Sequence, residues 1–276
     1  MSAKTKIEWC DSTWNPVVGC SKVSAGCANC YAERMVNRFP DLTGVHRYSD
    51  QTGERYCDGL GWDGRAHFMP HKLEQPLHWK KPRKIFVCSM GDLFHESIKN
   101  EQIAAVFGVM AACPQHTFMV LTKRVDRAIE WFMAIEQNEE PEVFCGREAI
   151  INLHWIGFDY GCGSAFESYI WPLPNVWFGV SIEDQKSVSR LDVLKDIPAA
   201  KRYVSYEPAI ELALFDNNLS WLDLVIMGAE TGPGKRPMNL DWARSTRDRC
   251  KATNTPFFFK KDSDGNHTLD GVVHEE

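Results

Sequence analysis

Short apolar runs that alternate with helical patterns are the feature of this sequence that most limits its possible folds. Six such runs are KIFVC (84–88), TFMVL (117–121), VWFGVSI (176–182), RYVSY (202–206), LVIMG (224–228) and PFFFK (256–260). Their nearly continuous hydrophobicity indicates strands that are covered on both faces, as in parallel sheets. A short strand near the N-terminus is expected to add a seventh.

Helical periodicity separates several of these runs. We predict helices over 100–113, with Asn100 as a cap, and over 126–136, 184–197 and 241–251. This alternation is typical of βα units, so the sequence predicts an α/β fold with a complete or partial TIM-type barrel of mostly parallel strands. A doubly wound open sheet is the alternative.

Two stretches, about 40–82 and 139–174, lack the βα rhythm. They are rich in glycine, aromatic and charged residues or only weakly periodic. We interpret them as irregular insertions in a single domain over residues 1–276.

Charge and hydropathy exclude several classes of protein. A formal net charge of -6 gives no general attraction for duplex nucleic acid, although it does not exclude a local basic patch. The N-terminal sequence lacks an apolar segment of signal-peptide length, and the apolar run over 103–113 is shorter than the ~20 residues that cross a bilayer. We therefore expect a cytoplasmic protein with no membrane partner and with reduced or metal-bound cysteines.

Polar side chains follow most of the predicted strands directly. In a parallel βα sheet the carboxyl ends of the strands meet at one rim, where functional residues collect. Glu183, Glu207 and Glu230 are the best candidates, because each follows an apolar strand at once. Any one of them alone would read as a helix cap or a solvated loop residue, and His95 is interpreted as structural.

Three cysteines lie close together in the stretch WNPVVGCSKVSAGCANCYAER (14–34). Six residues separate Cys20 from Cys27, and two separate Cys27 from Cys30. Closely spaced thiolates can share a zinc ion or an iron–sulfur cluster. Candidates for a fourth zinc ligand are Cys10, His46 and Cys57. A cluster with three cysteine ligands leaves one iron open to a small molecule, and the residues by themselves leave both alternatives open.

The triad lies early in the chain, before the βα units, which is the arrangement of radical S-adenosylmethionine enzymes. Their usual spacing is three residues and then two, with an aromatic residue before the last cysteine. This chain departs on both counts, since six residues separate the first pair and Asn29 precedes Cys30.

A series of motifs in chain order resembles the phage-encoded three-cysteine-motif family, commonly described as radical-SAM-like. The motifs are IEWCDSTWNPVVGCSKVSAGCANCYAER, VCSMGDLFHE, LTKR, FGVSIED, YVSYEPAI, MGAETGPGKRPMNLDW and PFFFKK. The resemblance spans nearly the whole chain. The AETGPGKRP block diverges from the family pattern, which more usually has a second glycine and a serine.

The resemblance implies a partial TIM-type barrel, a 4Fe–4S cluster and S-adenosylmethionine. Its metal ligands would be Cys20, Cys27 and Cys30. The expected cofactor-binding residues are Ser89, Met90, Gly91 and Asp92 for the amino group and Ser181 and Glu183 for the ribose hydroxyls. The residues expected to face the substrate as catalytic groups are Glu207, Glu230 and Lys260.

The resemblance also suggests a function. We expect a 5′-deoxyadenosyl radical that modifies or isomerises a side chain on a thymine base or nucleotide of phage DNA, with an electron donor such as flavodoxin, in the host cytoplasm. The basic run WKKPRK (79–84) is a candidate phosphate contact or simply a solvated surface segment. The alternative function is a nucleic-acid-binding module that zinc stabilises without radical chemistry.

Overall fold

A sheet of seven parallel strands organises the protein, whose computed structural model describes residues 5, 7–38, 62–136, 171–215 and 218–275. The strands of this sheet are β1 (Ser12–Trp14), β4 (Lys84–Val87), β5 (Thr117–Thr122), β6 (Val176–Ser181), β7 (Lys201–Tyr206), β8 (Leu224–Gly228) and β9 (Phe257–Lys261). A separate antiparallel pair joins β2 (Val17–Val18) to β3 (His67–Phe68). All seven predicted strands of the large sheet are confirmed.

The strands follow one another across the sheet in chain order, from β1 and β4 to β9. Right-handed crossovers between neighbouring parallel strands place the connecting helices on one face, and the sheet curls toward the other. The fold is therefore α/β with a partial barrel, and the doubly wound alternative, which needs a reversal of strand order, is wrong. A complete barrel is not formed by the described ranges, where the outer edge of β9 meets the chain end through an antiparallel bridge from Phe258 to Glu275.

Five α-helices accompany the strands within the described ranges. They are α1 (Tyr31–Arg38), α2 (Asn100–Ala111), α3 (Val125–Glu136), α4 (Arg190–Asp196) and α5 (Leu240–Ala252). The prediction of Asn100 as a cap is wrong, because the helix already begins there and the Lys99 backbone N–H is satisfied by the Gln102 side chain at 2.9 Å. No helix within the described ranges has the length and apolarity to cross a membrane.

The helix predicted over 184–197 is shorter than expected. A 3₁₀ turn (Lys186–Ser189) precedes α4. The Ser187 hydroxyl accepts the backbone N–H groups of Glu183 at 2.9 Å and Asp184 at 3.1 Å, and the Asp184 carboxylate accepts the Ser187 N–H at 2.8 Å. These local hydrogen bonds compete with the backbone hydrogen bonds that a regular α-helix would form directly after β6.

The two faces of the sheet carry different cores. On the convex face, strand residues such as Val120 and Phe178 pack against the helices in one large cluster. On the concave face, Trp9 from the segment before β1 packs 4.7 Å from Phe86 and 6.4 Å from Tyr203, measured between ring centroids. Apolar side chains thus fill the concave side toward the amino ends of the strands.

Part of the first predicted insertion belongs to the core. Its described end carries β3 and two 3₁₀ turns, and the Lys72 carbonyl accepts the Trp14 indole N–H at 2.7 Å. Leu73 is fully buried. The remainder of this insertion, with His46 and Cys57, and most of the insertion over 139–174 lie outside the described residues.

Candidate functional site

The cysteine loop, residues 20–30, lies at the carboxyl end of the sheet. Its entry is fixed where the Gly19 N–H donates to the Met90 carbonyl at 3.0 Å. A Cβ atom on Gly91 would stand 2.9 Å from the Gly19 oxygen, so the two chain segments touch backbone to backbone. The loop therefore starts against the end of β4.

Cys20 is held by the group that follows β5. The Arg124 guanidinium donates to the Cys20 sulfur at 3.4 Å and to the Ser21 hydroxyl and carbonyl at 2.7 and 3.1 Å. Asp92 and Glu96 accept from the same guanidinium at 3.4 and 3.0 Å. These hydrogen bonds and ion pairs join Cys20 to the ends of β4 and β5.

Cys27 is held through Ser24 by the group that follows β6. The Ser24 hydroxyl lies 3.6 Å from the Cys27 sulfur and donates to the Glu183 carboxylate. Glu183 is fully buried and also accepts from Lys123 at 3.1 Å and Arg190 at 2.7 Å. Two cations and a hydroxyl therefore engage a carboxylate that burial would otherwise destabilise.

Cys30 is held through Asn29 by the group that follows β8. The Asn29 amide donates to Glu230 and to the Gly234 carbonyl, each at 3.0 Å. Arg236 donates to the same carboxylate through its backbone N–H at 2.8 Å and to the Ala25 carbonyl at 3.0 Å. Burial opposes ionisation, but these hydrogen bonds lower the pKa of Glu230 to about 2.

The DLFHE motif supports the Cys20 end of the loop. Asp92 accepts the Thr122 hydroxyl at 2.8 Å and the Lys123 N–H at 3.1 Å. The Nδ1 atom of the buried His95 ring accepts the Ser97 backbone N–H at 3.1 Å. The proton of the neutral ring is therefore on Nε2, which donates to the Ser21 hydroxyl at 3.0 Å. His95 is thus a structural link, and burial together with the charge of Arg124 lowers its pKa.

The environments of the first two thiols differ. Burial and the charge of Asp92 raise the pKa of Cys20 to about 11, although Arg124 acts in the opposite direction. Burial also disfavours the Cys27 thiolate, but the charge of Lys123 and hydrogen bonds from the Ser24 region outweigh it and lower the pKa of Cys27. All three cysteines of the loop are partly exposed.

A second group of polar side chains lies beside the cysteine loop, at the carboxyl ends of β4, β7 and β9. The Tyr31 hydroxyl donates to the Ser89 carbonyl at 2.6 Å, and burial of the hydroxyl together with the charges of Cys30 and Glu207 raises the Tyr31 pKa. Lys260 on β9 contributes an ammonium group 2.8 Å from the Glu207 carboxylate.

The predicted cofactor segment, residues 89–92, lies beside the Tyr31 hydroxyl. The Asn15 side chain accepts the Ser89 hydroxyl at 3.1 Å and the Met90 N–H at 2.9 Å, which fixes the segment against β1. Ser181 is buried at the end of β6, and its carbonyl accepts from Arg190 at 2.6 Å. Roles for these residues in cofactor binding stay predictions.

The structure separates the predicted acidic residues into two groups. Glu183 and Glu230 accept hydrogen bonds from the cysteine loop, whereas Glu207 pairs with Lys260 on β9. The cations of the TGPGKRP loop are also engaged within the protein, Arg236 by Glu230 and Lys235 by the Ser263 carbonyl. The TGPGKRP loop therefore holds the cysteine loop in place.

The basic run WKKPRK lies at the opposite end of the sheet, where β4 begins. Arg83 stacks 4.7 Å above the Trp79 ring and donates to Ser12 at 3.0 Å. Phosphates bound to this run would be separated from the cysteine loop by the length of the strands. The predicted phosphate contact therefore lies away from the candidate site.

Three partly exposed thiols in one loop are the candidate ligands of a metal group. Within the described part of the chain, no three His, Cys, Asp or Glu side chains form a group that could hold a metal ion. Arg124 donates to Cys20, and the charge of Lys123 lowers the pKa of Cys27. These two cations suit cysteine ligands that carry negative charge as thiolates.

Sequence reasoning did not assign several residues that build this site. They are Asn15, Ser24, Asn29, Lys123, Arg124, Arg190 and Arg236. The signal that could have found two of them is LTKR, where cations follow a buried strand directly. Ser24 and Asn29 lie within the cysteine motif, but their partners are distant in sequence.

Comparison with known proteins gives the family and nothing finer. No curated protein matches the chain, and no solved structure matches it. One family model matches residues 4–274, nearly the whole chain. The protein belongs to the family described as "Protein of unknown function (DUF5131)".

Proposed function

We propose that this protein is a radical S-adenosylmethionine enzyme whose 4Fe–4S cluster is held by Cys20, Cys27 and Cys30. The observation that carries the proposal is the placement of one loop with all three thiols at the carboxyl end of a parallel partial barrel. Arg124, Glu183 and Glu230 tie this loop to the sheet at separate strand ends. Reactive groups of (βα) folds collect at this end.

When bound, the cluster and S-adenosylmethionine would supply a 5′-deoxyadenosyl radical, which can take a hydrogen atom from an unreactive C–H bond. The segment from Ser89 to Asp92 is the proposed wall for the cofactor, because Asn15 holds it in place next to the cysteine loop. We reassign Glu183 from ribose binding to holding the loop, since two cations and Ser24 already engage its carboxylate.

The same reasoning separates the proposed catalytic residues. Glu230 supports Asn29 and Arg236, so its role is to position the loop. Glu207 and Lys260, which are 2.8 Å apart, would present an acceptor and a donor to the substrate. Burial opposes the charge on Lys260, but Glu207 raises its pKa, so the ammonium form is available to a polar substrate.

The proposed substrate is a side chain on a thymine base or nucleotide of phage DNA, which is modified or isomerised. This choice of substrate is supported by the resemblance to the phage-encoded family. The net charge of -6 and the distance between the basic run and the cysteine loop favour a nucleotide or a base taken out of the duplex over extended contact with DNA. An electron donor such as flavodoxin would act as the partner.

The test is anaerobic purification followed by iron, sulfide and zinc analysis, and then incubation with dithionite and S-adenosylmethionine. We expect iron, sulfide and the product 5′-deoxyadenosine from the native chain. Cys27→Ala should lose the cluster and the product, whereas Cys113→Ala, a buried thiol at the end of α2, should keep both.

Two outcomes contradict the proposal. A colourless protein that contains zinc and no iron would favour the zinc-stabilised nucleic-acid-binding module. A fully loaded iron–sulfur protein that never forms 5′-deoxyadenosine would show a cluster without this chemistry.

A further inference from the structure

We infer that Arg124 is a positioning residue for the cluster, which orients Cys20 and keeps a hydrogen bond on its sulfur after iron is bound. The inference rests on the proposed function, because it concerns the same three thiols. It assigns a role that neither the cysteine spacing nor the family resemblance gives. Arg124 itself touches no reacting atom.

Every guanidinium N–H group of Arg124 has an acceptor. Nε donates to Glu96 at 3.0 Å, and Nη2 donates to the Ser21 hydroxyl and carbonyl. Nη1 is shared by the Cys20 sulfur and Asp92, each at 3.4 Å. The planar group therefore spans the loop on one side and the sheet on the other.

The sheet sets the position of the guanidinium. Arg124 is only 9% exposed, and its carboxylate partner Asp92 is 5% exposed. Asp92 is fixed by the Thr122 hydroxyl and by backbone N–H groups of Phe94 and Lys123. These hydrogen bonds fix Asp92 to the sheet, and Asp92 in turn fixes Arg124. The cysteine loop therefore adjusts its position to Arg124.

The contact with sulfur has a chemical consequence. A guanidinium hydrogen bond stabilises the negative charge that a thiolate carries as a ligand of iron, and such bonds tune iron–sulfur potentials. Groups just outside the ligands change metal affinity by about 10- to 100-fold when they are lost. Lysine cannot replace arginine here, because one ammonium group cannot reach Ser21, Asp92 and Cys20 together.

The experiment compares native protein, Arg124→Gln, Arg124→Lys and a matched control after anaerobic loading with iron and sulfide. The control is Arg127→Gln, because Arg127 lies one helical turn away and donates to Asn100 and the Ile98 carbonyl instead. The measurements are iron and sulfide per chain, the rate of iron loss to a chelator, and the midpoint potential from a redox titration followed by electron paramagnetic resonance.

We expect both Arg124 variants to lose iron about 10-fold faster or more and Arg124→Gln to shift the midpoint potential to more negative values. Arg127→Gln should match the native protein. Should Arg124→Gln fail to fold, Glu96→Gln is the second variant, because Glu96 is 67% exposed in its side chain and holds only the Nε edge. It should release iron faster than the native protein by a smaller factor.

If Arg124 only packs against the loop, its substitution leaves the midpoint potential of the cluster-loaded protein unchanged. That result would overturn this inference and leave the proposed function standing. Equal rates of iron loss in native and Arg124 variants would also overturn it. A native protein that takes up no iron or sulfide would instead overturn the proposed function and this inference with it.

Discussion

The two ends of the parallel sheet both carry charged and aromatic groups but use them differently. At the amino ends, Lys84 and Lys201 lie 6.0 and 5.5 Å from the Trp177 ring, and Lys201 pairs with Asp223 at 2.8 Å. These partners all lie on the strands of the sheet or next to them. At the carboxyl ends, Glu183 and Glu230 reach residues more than 150 positions away, in the cysteine loop.

This difference indicates that burial and partner choice distinguish a site from a charged surface. Glu183 is fully buried, whereas the Lys201 and Asp223 side chains are 46% and 29% exposed. Surface pairs contribute little because water and salt screen them, while a buried group that loses its partner leaves an uncompensated charge. Substitutions at the two ends should therefore differ strongly in effect.

The largest expected effect is at Glu183. Glu183→Ala leaves Lys123 and Arg190 without their buried carboxylate, and we expect the free energy of unfolding to fall by about 3–5 kcal/mol. Lys201→Ala at the opposite end should change it by less than about 1 kcal/mol. Urea denaturation of both variants measures the difference, and equal losses would show that the two ends are energetically alike.

An intermediate effect is expected at Glu230, with a defined dependence on pH. The folded-state pKa is about 2, below the ordinary value of 4.5, so the carboxylate stabilises the fold fully above pH 4.5 and this contribution is lost as the pH falls toward 2. Glu230→Gln should cost about 1–3 kcal/mol at neutral pH and almost nothing below pH 2. It should also increase hydrogen exchange in the cysteine loop.

The control for this prediction is Asp270→Asn. Arg244 and Arg247 also lower the pKa of Asp270 to about 2, but this carboxylate lies on an exposed surface away from the loop. Hydrogen exchange over residues 20–30 should stay unchanged in that variant. Increased exchange there would show that the loop responds to any lost acidic group.

The smallest effect is expected in the basic run. Lys80 and Lys81 are exposed at the amino ends of the strands, far from the cysteine loop. Substituting both by glutamate should leave cluster loading and the rate of 5′-deoxyadenosine formation within about twofold of the native values, since exposed charges contribute little. A large loss of activity with free nucleotide as substrate would connect this end of the sheet to the reaction.

Much of the fold followed from local patterns. The apolar runs predicted the strands to within a residue or two, and their alternation with helices predicted a parallel sheet. The prediction failed around 184–197, where Ser187 and Asp184 bond to the backbone and replace helix by a 3₁₀ turn. Strand ends also predicted Glu183, Glu207 and Glu230 as site residues, although not what each of them contacts.

The sequence by itself determined the α/β order of the elements, the three clustered thiols and the polar residues that follow each strand, because these depend on periodicity and spacing within short segments. Only the tertiary structure decided that Glu183 and Glu230 hold the cysteine loop while Glu207 and Lys260 pair with each other. It likewise placed Arg124 on Cys20 and the basic run at the far end. The physical reason is that each buried charge must find a partner, and the partner comes from whichever distant segment the curled sheet brings within reach.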